Sequence, residues 1–426
     1  MLTSSFKTIG LNSVALIIGI GIAILLSEVI LRIYPPAFIV DDLYYKYDKD
    51  VGWMLLPNAN GKMYMSCLSI SHISVNSLGF RDKEWSNDDT YKIAVLGDSF
   101  MEGQHLPEGT IVPQLLEQIL GVPVVNAGIN GMATLHEYLV FKKYVAHHQP
   151  QLVLLFVYPL NDILDNTEGA GGSWALSWPR AFIDPSGHIA VHFRDVPPSS
   201  DSGIRTAIKR HVKTLLLFRR AYDYYQSFGL SDSNMFLNGV YLPENEMWRD
   251  AWKITEFYLI ELKHEIEKNG GKLVTVLVPE YIRIAPNWER ELKEHFHIKE
   301  LPEGFDRDRP LRKLQQIAAA NDFQIIRLDE FLKGYREEFG VPAPYFYYRC
   351  DGHLNPLGHF LAANLIVRYL LDHDTKLMNE GTKKAIWSAV ERNLKLSPIA
   401  ILSQEGYDQI YKTGRFNGKT NIPNLR

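Results

Sequence analysis

The sequence is poor in cysteine. Its two residues, Cys67 and Cys350, are too few for a disulfide framework. They can form one bridge in an oxidising compartment or stay as two thiols. No C-x-x-C occurs, which removes zinc ribbons and dithiol redox motifs. A surplus of one charge is missing too. The 45 basic and 49 acidic side chains leave a net charge of −4, with no Lys/Arg-rich tail. No global field therefore draws the chain to nucleic acid. Low-complexity tracts and internal repeats are absent. Metal-ligand clusters are lacking as well: His295 with His297, and His353 with His359, have no third cluster beside them. They read as surface or cap residues, and neither a metal nor a cofactor is expected.

What is present is an ordinary globular balance, 46% apolar and 22% charged, over a length long for one compact domain and short for three. The 22 Tyr, 20 Phe and 8 Trp supply core packing or a groove of flat rings suited to sugars. Near the start, Val14 to Leu26 carries no polar side chain, and with its flanks the segment reaches the roughly 20 residues a bilayer crossing needs. Pro35-Pro36 ends that helix. No A-x-A-like site follows, so residues 1–36 read as an uncleaved transmembrane anchor rather than a cleaved signal peptide. Lys7 before the span and Arg32 after it favour a single-pass protein with its body outside the cytoplasm.

Residues 37–90 hold Gly52, Pro57, Gly61 and the run Asn76 to Asp82, which predicts short strands and turns packed on a main domain. From Tyr91 the texture alternates. Apolar strands are expected at Lys92–Leu96, Val122–Asn126, Leu152–Val157, Lys272–Val278 and Gln324–Leu328. Helices are expected at Ile111–Leu120, Leu135–His147, Glu246–Lys268, Pro310–Asn321 and Pro356–Leu371. Continuous apolar strands separated by helices predict an α/β fold, a three-layer α/β/α flavodoxin-like sheet of five parallel strands over residues 91–372. Residues 165–244 interrupt the rhythm as an insertion between strands three and four. Near Ile204–Phe228 the insertion carries Arg205, Lys209, Arg210, Lys213, Arg219 and Arg220 among Leu215, Leu216, Leu217 and Phe218. That pattern suits a solvated amphipathic helix, or contact with anionic lipid or an acidic polysaccharide. Residues 373–426 read as a tail, helical around Lys383–Leu394 and turn-rich beyond.

The residues that carry chemistry sit where strands end. Gly97-Asp98-Ser99-Phe100 follows the first strand directly. A small residue lets the chain turn there, and Ser99 falls at a helix start where free N–H groups point outward. A serine so placed can be nucleophile and oxyanion donor together. The second strand ends in Asn126-Ala127-Gly128-Ile129-Asn130-Gly131 and the third in Tyr158-Pro159-Leu160-Asn161-Asp162. A glycine of the second strand's loop can turn its N–H to the same pocket, and Asn161 can donate its amide to a developing oxyanion. Late in the chain comes Asp351-Gly352-His353-Leu354-Asn355-Pro356-Leu357-Gly358-His359. There Asp351 can hold the imidazole tautomer and His353 can take the serine proton. All four stretches converge on one edge of one sheet, where ligands of such folds bind.

With these blocks in this order the chain resembles the SGNH/GDSL hydrolases, from about Lys92 to Asp372 less the insertion. The resemblance implies Ser99 as nucleophile, His353 as general base and Asp351 as its orienting acid. It also implies an oxyanion hole of the Ser99 N–H, the Gly131 N–H and the Asn161 side chain. Two departures stand out. Only Gly352 separates Asp351 from His353, where the family commonly has two residues, and Pro159-Leu160 replaces the common Gly-x before Asn-Asp. The shorter Asp-x-His-x-Asn-Pro form is similar to SGNH-like proteins of bacterial exopolysaccharide O-acetylation systems, which are often membrane-tethered. The expected activity is a serine esterase that removes acyl groups, such as acetyl, from a carbohydrate or similar extracytoplasmic substrate. The alternatives are an O-acyltransferase acting on a polysaccharide and a non-catalytic glycan-binding or assembly subunit. The expected partners are an acylated small molecule or glycan, and the membrane through the N-terminal helix. Nothing in the sequence names a protein partner.

Overall fold

Between its first helix and its first long apolar strand the chain makes two antiparallel hairpins. β1 (Tyr45–Asp48) pairs with β2 (Gly52–Leu55), and β3 (Asn60–Tyr64) with β4 (Ile70–Ser74). The computed structural model describes residues 2–34, 45–64, 70–86, 91–104, 106–168, 178–193, 212–218, 239–295, 298, 300–348, 352–373, 378–413 and 420–421. The described residues between 45 and 86 are strands and turns, as the glycines and the Asn76–Asp82 run predict. Asn76 accounts for the turn: its Oδ1 accepts the N–H groups of Leu78, Gly79 and Phe80.

The five apolar runs form one parallel sheet. β5 (Ile93–Leu96), β6 (Val124–Asn126), β7 (Leu152–Val157), β10 (Lys272–Leu277) and β11 (Gln324–Arg327) lie in the order β6-β5-β7-β10-β11. Each neighbouring pair is parallel, with Val95 opposite Leu154 and Phe156 opposite Val276. β5 and β7 are buried along their whole length, which is why they lack the polar alternation of a one-sided sheet. Alternate residues feed two cores. Ile93, Val95, Leu154, Phe156, Val274 and Val276 pack with the helices Val112–Leu120 and Pro356–Asp372. Ala94, Leu96, Val153, Leu155, Val157 and Leu273 pack with Glu246–Lys268 and Arg309–Ala320. Two helical layers around one sheet make the expected three-layer α/β/α architecture. Truncating a fully buried residue such as Leu154 to alanine would cost about 2–5 kcal/mol.

Several elements depart from the sequence reading. The insertion carries a hairpin, β8 (Arg180–Ile183) with β9 (Ile189–His192), turned at Asp184-Pro185-Ser186-Gly187. A helix over Asp329–Phe339, ending at left-handed Gly340, follows β11. Among its described residues the tail is mostly helical rather than turn-rich after Leu394. A second helix covers Pro398–Thr413, kinked at Ser403, and Val390, Leu394, Ile401 and Leu402 are buried in the same core as β5. Of the expected basic helix only residues 212–218 are described, helical over 213–218. Arg205, Lys209, Arg210, Arg219 and Arg220 lie outside the described residues.

The chain divides into two compact units, one of residues 1–43 and 197–230, the other of 44–196 and 231–426. In the first unit a helix runs over Leu2–Ile33. Its Ser13–Ile33 stretch has a mean hydropathy of 2.7 and is 6% buried, so it is long and apolar enough to span a membrane and almost uncovered by protein. Near its end, Glu28 accepts the N–H and O–H of Thr214, and Leu31 packs on Leu216.

Candidate active site

β5 runs straight into the first block. Gly97 must be glycine: a Cβ there would sit 2.7 Å from Met101 Cγ and 3.1 Å from Phe156 Cβ. The chain then turns into a four-residue helix, Ser99–Glu102, capped by Asp98, whose Oδ1 accepts the Phe100 N–H at 2.9 Å. Gly103 ends this helix in the left-handed region. Past that end the guanidinium of buried Arg81 collects carbonyls, donating to Glu102 O at 3.2 Å, to Leu106 O at 2.8 Å and to Gly103 O. A cation on the last carbonyls of a helix satisfies groups that have no partner within it. The short turn that carries Ser99 is thus fixed at both ends.

His353 arrives from the other end of the sequence. Tyr348 N–H donates to His353 O at 2.7 Å, and Gly352 N–H to Tyr348 O at 2.9 Å. Gly352 has φ 78°, a conformation glycine adopts without strain, which explains why a single glycine can stand between Asp351 and His353. Asn355 then caps the helix Pro356–Asp372, accepting the N–H of Leu357 at 3.0 Å and of Gly358 at 3.2 Å. Its own amide donates to Tyr345 O and Tyr347 O. The result is a hydrogen bond of 2.7 Å between Ser99 Oγ and His353 Nε2, across 254 residues of sequence. Phe100 lies against the imidazole, ring centroids 4.8 Å apart, and against Tyr158 at 4.7 Å. The phenylalanine of the G-D-S-F block therefore braces the histidine.

The second and third blocks close on the same turn. The loop after β6 is bonded onto it: Ala127 N–H to Val95 O at 2.8 Å, then Ile129 N–H to Gly97 O at 3.0 Å. Gly128 presses so closely that a Cβ would fall 2.4 Å from Met101 Cβ. Asn130 N–H donates to Glu102 Oε2 at 2.8 Å, and Gly131 follows in the left-handed region, φ 78°. After β7, Asn161 Nδ2 donates to Asp98 Oδ2 at 3.0 Å. Ser99, His353, Gly131 and Asn161 are thus on elements that meet at the carboxyl edge of the sheet. Asp351 lies outside the described residues, as do Cys67, Cys350 and His297. His359 belongs elsewhere: it is buried, and its Nδ1 accepts Val112 N–H at 3.2 Å at the start of a helix that has no side-chain cap of its own.

Burial governs the electrostatics. Burial raises the Asp98 carboxyl, while the Phe100 N–H, the Asn161 amide and His353 pull it back. Burial pushes Glu102 up to about 7, against the Asn130 N–H, the Tyr45 hydroxyl and the Arg81 charge. Glu137 and Asp162 are raised well above the carboxylate range by burial and then by the nearby Asp98 charge. Among the described residues no group of three or more His, Cys, Asp or Glu is placed to hold a metal ion.

Sequence reasoning missed Arg81, Glu102 and Phe100 as site residues. Phe100 was visible in its block. Arg81 and Glu102 carry no local signal, because only the fold reveals that these charged side chains are buried.

Chemically, the pair can do what a serine hydrolase does. With its proton on Nδ1, His353 presents a lone pair at Nε2 to the Ser99 hydroxyl, so proton removal and nucleophilic attack can be concerted.

No protein-family model matches the chain, and no curated protein matches it. Among solved structures it is similar to a lipase/acylhydrolase from Enterococcus faecalis, at 16% identity, covering 66% of this chain and 95% of that one, TM-score 0.33. It is also similar to a catalytic mutant of an acetylxylan esterase from Geobacillus stearothermophilus, at 15% identity, 68% and 97% coverage, TM-score 0.34. A GDSL-like lipase from Bacteroides thetaiotaomicron matches at 11% identity, 70% and 87% coverage, TM-score 0.28. Identities and scores this low assign no chemistry, which is read from Ser99, His353 and their neighbours alone.

Proposed function

We propose that the protein is a serine esterase of the SGNH/GDSL kind that removes acyl groups, acetyl among them, from a carbohydrate or similar extracytoplasmic substrate. The observation that carries this reading is the 2.7 Å bond from Ser99 Oγ to His353 Nε2, at the sheet edge where the loops after three strands converge. Ser99 Oγ attacks the ester carbonyl carbon as its proton passes to His353 Nε2. The carbonyl oxygen becomes an oxyanion, facing the Ser99 N–H, the Gly131 N–H and the Asn161 amide. The tetrahedral species collapses, His353 returns the proton to the leaving alcohol, and an acyl-serine remains. Water, deprotonated by the same imidazole, releases the carboxylic acid and restores Ser99. Asp351 is assigned to the His353 tautomer. A sugar hydroxyl in place of that water would make the same site a transferase, and product analysis with and without added glycan separates the two.

The helix over Ser13–Ile33 is assigned as a single membrane anchor that keeps the hydrolase domain at the outer face. In detergent, the full chain should hydrolyse p-nitrophenyl acetate and the Ser99→Ala variant should lose the activity by several orders of magnitude. Equal rates in the two proteins would refute the assignment.

A further inference from the structure

We infer that Glu102 is a positioning residue for the oxyanion loop: its carboxylate ties the peptide before Gly131 to the turn that carries Ser99. The inference rests on the esterase reading above, in which the Gly131 N–H faces the oxyanion. Three observations support it.

First, Glu102 is fully buried and both of its oxygens are used inward. Oε2 accepts the Asn130 N–H at 2.8 Å. Oε1 accepts the Tyr45 hydroxyl at 2.9 Å and the Gln104 amide. A carboxylate without a role is an expensive group to bury, and here each oxygen has a donor.

Second, the connection is short. Glu102 is three residues after Ser99 on one helical turn, and Asn130 is one residue before Gly131. Up to Ile129 the loop is held by backbone bonds to Val95 and Gly97. Beyond Ile129 that register runs out, because the chain it pairs with has turned into the helix Ser99–Glu102. The Glu102 side chain takes over at the next N–H. Nucleophile and oxyanion donor are thereby referenced to the same four residues.

Third, the lead-in completes the arrangement. Tyr45 comes from β1, and Arg81, whose charge faces Glu102, clamps the carbonyls of Glu102, Gly103 and Leu106. Tyr45 and Arg81 thus tie the segment before β5 to this edge.

The geometry also says which property of the side chain matters. Glutamine keeps the reach and one acceptor oxygen for Asn130, while the Gln104 amide can turn and the Tyr45 hydroxyl can accept. Aspartate keeps the charge but is one methylene too short to reach the loop. Positioning therefore predicts the order Glu, Gln, Asp, Leu in turnover, whereas a purely electrostatic role predicts Asp above Gln.

The test is steady-state hydrolysis of p-nitrophenyl acetate by the full chain in detergent, with melting temperatures, for Ser99→Ala, Glu102→Gln, Glu102→Asp and Glu102→Leu. Expected is a kcat loss under about fivefold for Gln, about tenfold for Asp and about 10²-fold for Leu, on the scale of a weakened or lost oxyanion donor, with KM within about twofold throughout. If Leu does not fold, the order of Gln and Asp decides. Asp at or above Gln overturns the inference, as does a folded Leu variant with wild-type kcat or a loss carried wholly by KM. A Ser99→Ala variant as active as wild type would instead overturn the esterase reading, and this inference with it. An inactive Ser99→Ala beside a reversed Gln/Asp order overturns this inference alone.

Discussion

Replacing Asp98 by asparagine tests the site where its geometry is most explicit. Asp98 has two jobs: Oδ1 caps the helix Ser99–Glu102 through Phe100 N–H at 2.9 Å, and Oδ2 accepts the Asn161 amide at 3.0 Å. Asparagine is isosteric, and its carbonyl oxygen can keep the cap. Its amide nitrogen would then face the Asn161 nitrogen, donor against donor. Asn161 must rotate its amide to present oxygen, which removes its N–H from the position of the proposed oxyanion. Loss of one oxyanion donor costs about 10²–10³-fold in kcat, or about 2.7–4 kcal/mol of barrier. Stability should change far less, by about 1 kcal/mol, because the lost charged bond is offset by removing a carboxylate that burial already disfavours. The assay is kcat and KM on p-nitrophenyl acetate beside a denaturant melt. A folded Asp98→Asn enzyme with kcat within threefold of wild type would refute the assignment of Asn161 to the oxyanion.

Other consequences follow from single contacts. His353→Ala should abolish turnover while His359→Leu leaves kcat unchanged. His359→Leu should cost about 1–3 kcal/mol in chemical denaturation, because Val112 N–H loses its acceptor at a buried helix start. Asp82, Glu102 and Asp165 are each raised to about 7 by burial. Between pH 4 and 7 the unfolded chain releases protons that these groups keep when folded, so stability should fall as pH rises through that window, by up to roughly 4 kcal/mol for each group. Unfolding free energies that stay flat or climb from pH 5 to pH 8 would contradict the burial of these carboxyls. Alkaline carbonate should leave the full chain in the membrane pellet, and release into the supernatant would count against an anchor at Ser13–Ile33.

Much of this molecule is legible in its residues, for identifiable reasons. β5 and β7 are continuous apolar runs because helices cover both faces of the sheet, and that pattern needs no tertiary information to read. The helix Glu246–Lys268 declares itself through its cap, Asn245, and the recurrence of Trp248, Trp252, Thr255, Leu259 and Leu262 on one side. Ser99 and His353 stand in blocks whose turn chemistry, Gly97 and Gly352, is local. The hairpin β8–β9 was readable too, since Asp184-Pro185-Ser186-Gly187 is a turn signal between two short apolar stretches, but the surrounding loop-rich texture obscured it. The helix Asp329–Phe339 hides behind its charges: Leu332 and Tyr335 are its only fully buried apolar residues. Ser403 and Gly406 broke the periodicity of the last helix, which its contacts with the core hold in place nonetheless. Arg81 and Glu102 belong to a different kind of gap. Charged residues in a strand-and-turn segment, or one turn after a motif, read as solvated. Only three-dimensional packing turns them inward onto the turn that carries Ser99.

The central claim is that Ser99 is a nucleophile activated by His353, and covalent labelling addresses it most directly. The full chain would be treated with a fluorophosphonate and the modified peptide mapped by mass spectrometry. The account predicts one adduct, on Ser99, formed at a rate that collapses in His353→Ala and absent from Ser99→Ala. An unlabelled wild-type protein, or an adduct on another serine that persists in Ser99→Ala, would contradict it.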